Sequence, residues 1–138
     1  MCSASAIAAL APIKSPEKIL LDQQSYGNLK GLTDEQVKQI IIEKCKFYNF
    51  GYPSLMIWLM EQESKLGQNK SCGDGGKSCG SYQIRLATWE MFQRETGRYD
   101  LVYTSDKDQI DMTILALRKG YWYLWGPLQR AYSSNPIR

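Results

Sequence analysis

Apolar residues recur at helical spacing at Val37, Ile40, Ile41, Cys45 and Tyr48. Thr33 followed by Gln36 has the form of a capping box, and Leu32 with Val37 forms a hydrophobic staple. The pattern predicts a helix over about 34–48, stopped near Gly51. A second helix is predicted from Pro53, a residue favoured in a first helical turn. Leu55 through Met60 are apolar on every side, so this helix is expected to run through the core, with Trp58 in its packing. Glu61, Gln62 and Glu63 break the apolar run abruptly, and Gly67 is placed to end the helix.

Beyond Gly67 the helical period is lost. Gly73, Asp74, Gly75, Gly76 and Gly80 predict a loop or a short β-hairpin. Tyr82-Gln83-Ile84-Arg85 predicts a short strand or extended edge. A short helix is expected from Thr88 to Thr96, with Gly97 beyond it. Ser105 caps a longer helix whose apolar stripe is Ile110, Ile114 and Leu117. Arg118 and Lys119 suit its negative end, and Gly120 closes it. A last helical stretch covers Trp125–Tyr132. The expected fold is mainly α, of the α+β kind. It has a buried central helix ending in an acidic residue, a small loop or β-hairpin beside it, and surrounding helices.

At 138 residues the chain fits one domain, assigned to residues 29–138. Residues 1–28 read differently. Ser3–Pro12 is small and Ala-rich, with no basic residue before Lys14. That segment is either what remains beside a signal cleavage site or a mobile lead. With 43% hydrophobic and 22% charged residues, the chain reads as globular. The apolar run Leu55–Met60 is far short of the ~20 residues that span a bilayer, so no membrane span is expected.

Charge and residue types narrow the chemistry. A net charge of +3 is either an ordinary basic surface or an attraction to an acidic polymer. Without a Lys/Arg run, a nucleic-acid partner is not expected. The chain has no histidine, which excludes Ser-His-Asp and Cys-His sites and any His-ligated metal. Proton transfer near neutral pH then falls to a perturbed carboxylate, Cys, Lys or Tyr. Cys72 and Cys79 flank Gly73-Asp74-Gly75-Gly76-Lys77-Ser78, a spacing that suits a disulfide closing a small loop. Free thiols, or a zinc site completed by Cys2 and Cys45, are the alternatives. Zinc pairs usually sit about two to four residues apart, and this chain has none. No metal and no cofactor is expected.

Glu63 is the candidate proton donor. Apolar surroundings and the negative end of a helix both favour the neutral form of a carboxyl. Glu61 lies about 200° away around the helix axis, so only one of the two can face a given cleft. Physical reasoning leaves the choice between them open, and a solvated acidic face is the ordinary alternative.

A resemblance separates them. Gln62-Glu63-Ser64, the glycine-rich loop and Gly80-Ser81-Tyr82-Gln83-Ile84 together resemble the core signature of lytic transglycosylases and goose-type lysozymes, in the lysozyme-like superfamily. The similarity covers about residues 53–92, and Ala87-Thr88-Trp89 is similar to the start of the short helix that follows. It implies a lysozyme-like domain that cleaves the β-1,4 MurNAc–GlcNAc bond of peptidoglycan, with Glu63 as general acid. It also implies that Ser64, Gly80, Tyr82, Gln83 and Ile84 line the saccharide cleft, Gln83 reaching a sugar amide or hydroxyl. The expected protein is a monomer, secreted, periplasmic or cell-wall associated, with glycan strands as partner.

The sequence departs from the family pattern in places. Ser81-Tyr82 stands where transglycosylases usually have Leu-Met, and Ala131-Tyr132-Ser133-Ser134 stands where they usually have Ala-Tyr-Asn-Ala-Gly. The Tyr of that motif bonds the catalytic Glu, so Tyr132 is the candidate for that contact. Cys79–Ile84 also resembles invertebrate-type lysozymes, whose other cysteines are missing here. Gly73-Asp74 resembles goose-type lysozymes, where such an Asp places the attacking water; the alternative is a turn former. With a placed water the product is a hydrolysed end, and without one the substrate's N-acetyl oxygen attacks and an anhydro end results. The pattern from Gln62 through Trp89 leans towards the lytic transglycosylase. The alternatives are a muramidase using Asp74 and a non-catalytic glycan- or protein-binding module. Tyr121-Trp122-Tyr123-Leu124-Trp125 either stacks on sugar rings or belongs to the core.

Overall fold

A computed structural model describes residues 27–134. The expected lead over 1–28 therefore lies outside the described residues, apart from Gly27 and Asn28. Five α-helices occur among the described residues: α1 (Asp34–Phe47), α2 (Pro53–Ser64), α3 (Leu86–Thr96), α4 (Asp106–Arg118) and α5 (Gly126–Ser134). Between α2 and α3 lie a short 3-10 turn (Asp74–Gly76) and two strands, β1 (Ser78–Cys79) and β2 (Ile84–Arg85). A second 3-10 turn (Tyr121–Leu124) leads into α5. The strands are antiparallel, with Ser78 opposite Arg85 and Cys79 opposite Ile84. The protein is thus mainly helical with a small two-stranded sheet, the expected fold class.

Local chemistry sets the helix ends. In α1 the Thr33 hydroxyl accepts from Gln36 N while the Gln36 side chain accepts from Thr33 N. In α4 the Ser105 hydroxyl accepts from Asp108 N. Gly97 ends α3 in the left-handed conformation.

Two expectations about helices need correction. The α2 helix ends at Ser64, before Gly67, because Lys65 and Leu66 both turn left-handed, with φ 52° and 58°. That reversal returns Leu66 to the core, and Ser64 fixes it: its hydroxyl donates to Ser81 O at 2.7 Å and accepts from Gly67 N at 2.9 Å. Burial on all sides also belongs to α4 and not to α2, although Leu55 through Met60 of α2 all join or pack against the core. In α4, Asp106, Asp108 through Ile114, and Ala116 are all buried. In α2, Met56, Leu59, Met60 and Ser64 are buried, but Leu55, Ile57 and Trp58 are only half-buried. The α2 helix packs chiefly on α1 and α5, and Leu55, Ile57 and Trp58 keep some contact with solvent.

Polar side chains on α4 tie the hairpin to the helices. The Gln109 amide accepts from Tyr82 N at 2.9 Å and donates to Cys79 O and Tyr103 O. Asp106 accepts from Leu29 N at 2.9 Å and pairs with Lys70 at 2.6 Å. Ahead of Leu29, Gly27 is buried and its carbonyl accepts from Lys107 N.

Candidate active site

One cleft of about 420 Å³ opens where the end of α2 meets the hairpin, α3 and the start of α5. Gln62 and Glu63 enter it from α2, Asp74 and Ser78 from the glycine loop and β1, and Gln83, Ile84 and Arg85 from the hairpin. Thr88 and Phe92 come from α3, and Leu124 through Pro127 with Arg130 close the far wall.

Glu63 is half-buried in this cleft, whereas Glu61 faces solvent. The separation follows from their angular offset on one helix. Burial pushes the Glu63 carboxyl up from its ordinary 4.5 to about 7. The Arg130 cation works against that rise, and the Asp74 charge adds to it. A carboxyl with a pKa near 7 can carry its proton into a reaction at neutral pH and give it up there.

Asp74 stands on the same cleft, in a loop fixed by covalent and polar ties. Cys72 and Cys79 are joined by a disulfide. That bond removes two of the four thiols a zinc site would need. Cys45 is free and buried, and Cys2 lies outside the described residues. No cluster of potential metal ligands occurs among the described residues. The Ser78 hydroxyl donates to Asp74 Oδ2 at 2.6 Å, and Arg85 Nη2 lies 4.0 Å from the same oxygen. Asp74 adopts φ 53°, which Asp tolerates better than most residues.

Gln83 and Ile84 line the cleft, as the sequence suggested. Gln83 also serves the loop: its amide oxygen accepts from Gly73 N at 2.9 Å and its nitrogen donates to Gly80 O at 3.0 Å. These bonds hold Gln83 itself at φ 52°, a strained conformation beside the site.

Four other expected cleft residues have different places. Ser64 is buried in the clasp to Ser81 and Gly67. Tyr82 is fully buried, its hydroxyl donating to Met56 O and its carbonyl accepting from Trp125 Nε1. Gly80 faces Gln109, where a Cβ would stand 2.2 Å from Nε2, and its φ of 89° independently demands glycine. All three shape the cleft from behind its wall. Tyr132 is in a separate apolar groove with Phe50, Tyr52, Leu55 and Trp122. On α5 it stands two positions from Arg130, about 200° around the helix axis, so the two line different pockets.

Phe92 and Arg130 are among the cleft residues that sequence reasoning missed, and Trp125 was named there only within the aromatic run. The only available signal was the aromatic run 121–125, and it divides. Trp125 is buried, stacks on Phe92 at 5.9 Å and lines the cleft. Tyr123 is exposed and Trp122 faces the apolar groove. No helix among the described residues is long and apolar enough to cross a membrane. Comparison with protein-family models, with curated proteins and with solved structures gives no match.

Proposed function

We propose that the protein is a glycosidase acting on the β-1,4 MurNAc–GlcNAc bond of peptidoglycan, with Glu63 as general acid. The observation that carries this reading is a carboxyl with a pKa of about 7 in a cleft shared with a second carboxylate. Glu63 passes its proton to the glycosidic oxygen, and the bond from C1 to that oxygen breaks. Water then bonds to C1, and its proton goes to Asp74. A binding module has no use for a half-buried acid, so the enzyme reading is preferred to the non-catalytic one.

The place of Asp74 bears on the product. The sequence pattern from Gln62 through Trp89 points to a lytic transglycosylase but does not place the Asp74 side chain. A carboxylate on the cleft wall, anchored by Ser78, supports the hydrolytic muramidase, while its 63% exposure supports the transglycosylase. The disulfide supports a secreted or periplasmic location.

Digestion of purified peptidoglycan followed by muropeptide mass analysis tests the proposal. Glu63→Gln is expected to lose about 10²–10⁴-fold in rate or more while remaining folded. Glu61→Gln is expected to stay near wild type. A dead Glu61→Gln beside an active Glu63→Gln overturns the assignment. Reducing ends that disappear in Asp74→Asn support hydrolysis; anhydro ends, one water lighter, return the reaction to the transglycosylase class.

A further inference from the structure

Arg130 occupies a defined seat on the cleft wall. It stands on α5 one helical turn after Gly126. A Cβ on Gly126 would meet Arg130 Nη1 at 3.0 Å. The bare backbone at 126 therefore gives the guanidinium room to lie back against the helix. From there it lines the same cleft as Glu63.

We propose that Arg130 is a positioning residue for Glu63: seated over Gly126, its guanidinium sets the pH at which the acid releases its proton. The inference rests on the reading of Glu63 as the general acid. The charged groups that reach the cleft are few. Asp74 arrives from the glycine loop and disfavours a charged Glu63. Arg85 arrives from β2, and its nearest carboxylate is Asp74 at 4.0 Å. The cleft residues of α3 and of the second 3-10 turn, Thr88, Phe92 and Leu124, are uncharged. Glu61, on the same helix as Glu63, faces solvent. Arg130 is therefore the cation set against both burial and Asp74. A cation favours the ionised carboxylate, so its loss makes Glu63 hold its proton to higher pH. An acid that holds its proton too tightly donates poorly, which is the use of such a brake.

The experiment is a carboxyl-carbon NMR titration of the full chain, with Glu63→Gln identifying the resonance. In Arg130→Gln the Glu63 midpoint is expected to rise by about one pH unit. In Arg130→Lys, which keeps the charge, it is expected to stay close to wild type. The alkaline limb of peptidoglycan cleavage is expected to move with the NMR midpoint. A midpoint unmoved in Arg130→Gln, or moved equally in both variants, overturns the proposal. The titration does not need turnover. An inactive protein whose midpoint moves as expected rejects the glycosidase reading and keeps the role of Arg130 as a brake on ionisation; an active protein whose midpoint stays still rejects that role alone.

Discussion

Asp111 and Glu63 are carboxyl groups on two helices of one small protein, and their surroundings differ in kind. Asp111 on α4 is buried among partners. Lys44 Nζ lies 2.6 Å from Oδ1 as an ion pair, and the Tyr48 hydroxyl donates to Oδ2. Arg98 in turn donates to the Tyr48 hydroxyl at 3.1 Å and pairs with Asp100 at 2.9 Å. Glu63 on α2 is set beside Ile84, Phe92 and Trp125, and burial outweighs the single opposing cation. A buried charge matched on several sides serves the architecture. A buried carboxyl left unbalanced keeps its proton and becomes available for chemistry.

Breaking the matched site gives the largest expected effect on stability. Asp111→Ala leaves the Lys44 ammonium facing a pocket without its counter-charge. It is expected to cost about 3 kcal/mol in urea unfolding at pH 7. A loss below about 1 kcal/mol, the range of an exposed pair, erases the contrast between the two sites. Next in size is the disulfide beside Asp74. Replacing Cys72 and Cys79 with Ser is expected to cost about 2 kcal/mol. Hydrogen exchange is expected to quicken within residues 72–79 and not around Asp111, since the bond restrains the loop and not the α1–α4 contact. Equal quickening at both places removes the distinction.

The smallest expected effect sharpens the comparison through pH. The Glu63 pKa is raised on folding, so the folded state holds the proton more tightly. The stability this lends is full below pH 4.5 and is lost as pH rises through about 7. Glu63→Gln has no proton to lose. Its stability relative to wild type is expected to improve between pH 5 and pH 8. After discounting for solvent screening of a half-exposed group, the gain is on the order of 1 kcal/mol. Denaturant unfolding at the two pH values measures it. A difference that does not change with pH contradicts the raised pKa.

The contrast also explains what could be read from sequence. Caps act within three or four residues, so Thr33, Ser105 and Gly97 marked helix ends correctly. The role of α4 was hidden because Asp106, Asp108, Gln109, Asp111 and Thr113 look like a solvated face. Several of them are buried because distant groups satisfy them. Asp106 is bonded to Leu29, 77 residues away, and Gln109 to Tyr82, 27 away. Nothing in a local window announces such partners. The site divides in the same way. The Glu63 end of α2 and the loop carrying Asp74 stood close in sequence and could be read together. The α5 wall with Arg130 was brought in only by tertiary packing. Tyr82 and Gly80 were expected to line the cleft and instead pack behind its wall, because a motif does not say which side of the wall a residue occupies.

The hairpin behind that wall borrows its stability from its neighbours. Its strands are only two residues each, and a sheet that small has no independent stability. Its anchors lie elsewhere: Tyr82 bonds to Met56, Gln109 and Trp125, and Ser81 to Ser64 and Asp106. Those anchors belong to α2, α4 and the turn at Trp125, so the hairpin keeps its place only while all three are packed together. The loop that carries Asp74 is joined to the hairpin by the Cys72–Cys79 bond and by Gln83, so loosening any one anchor is expected to shift that carboxylate relative to Glu63.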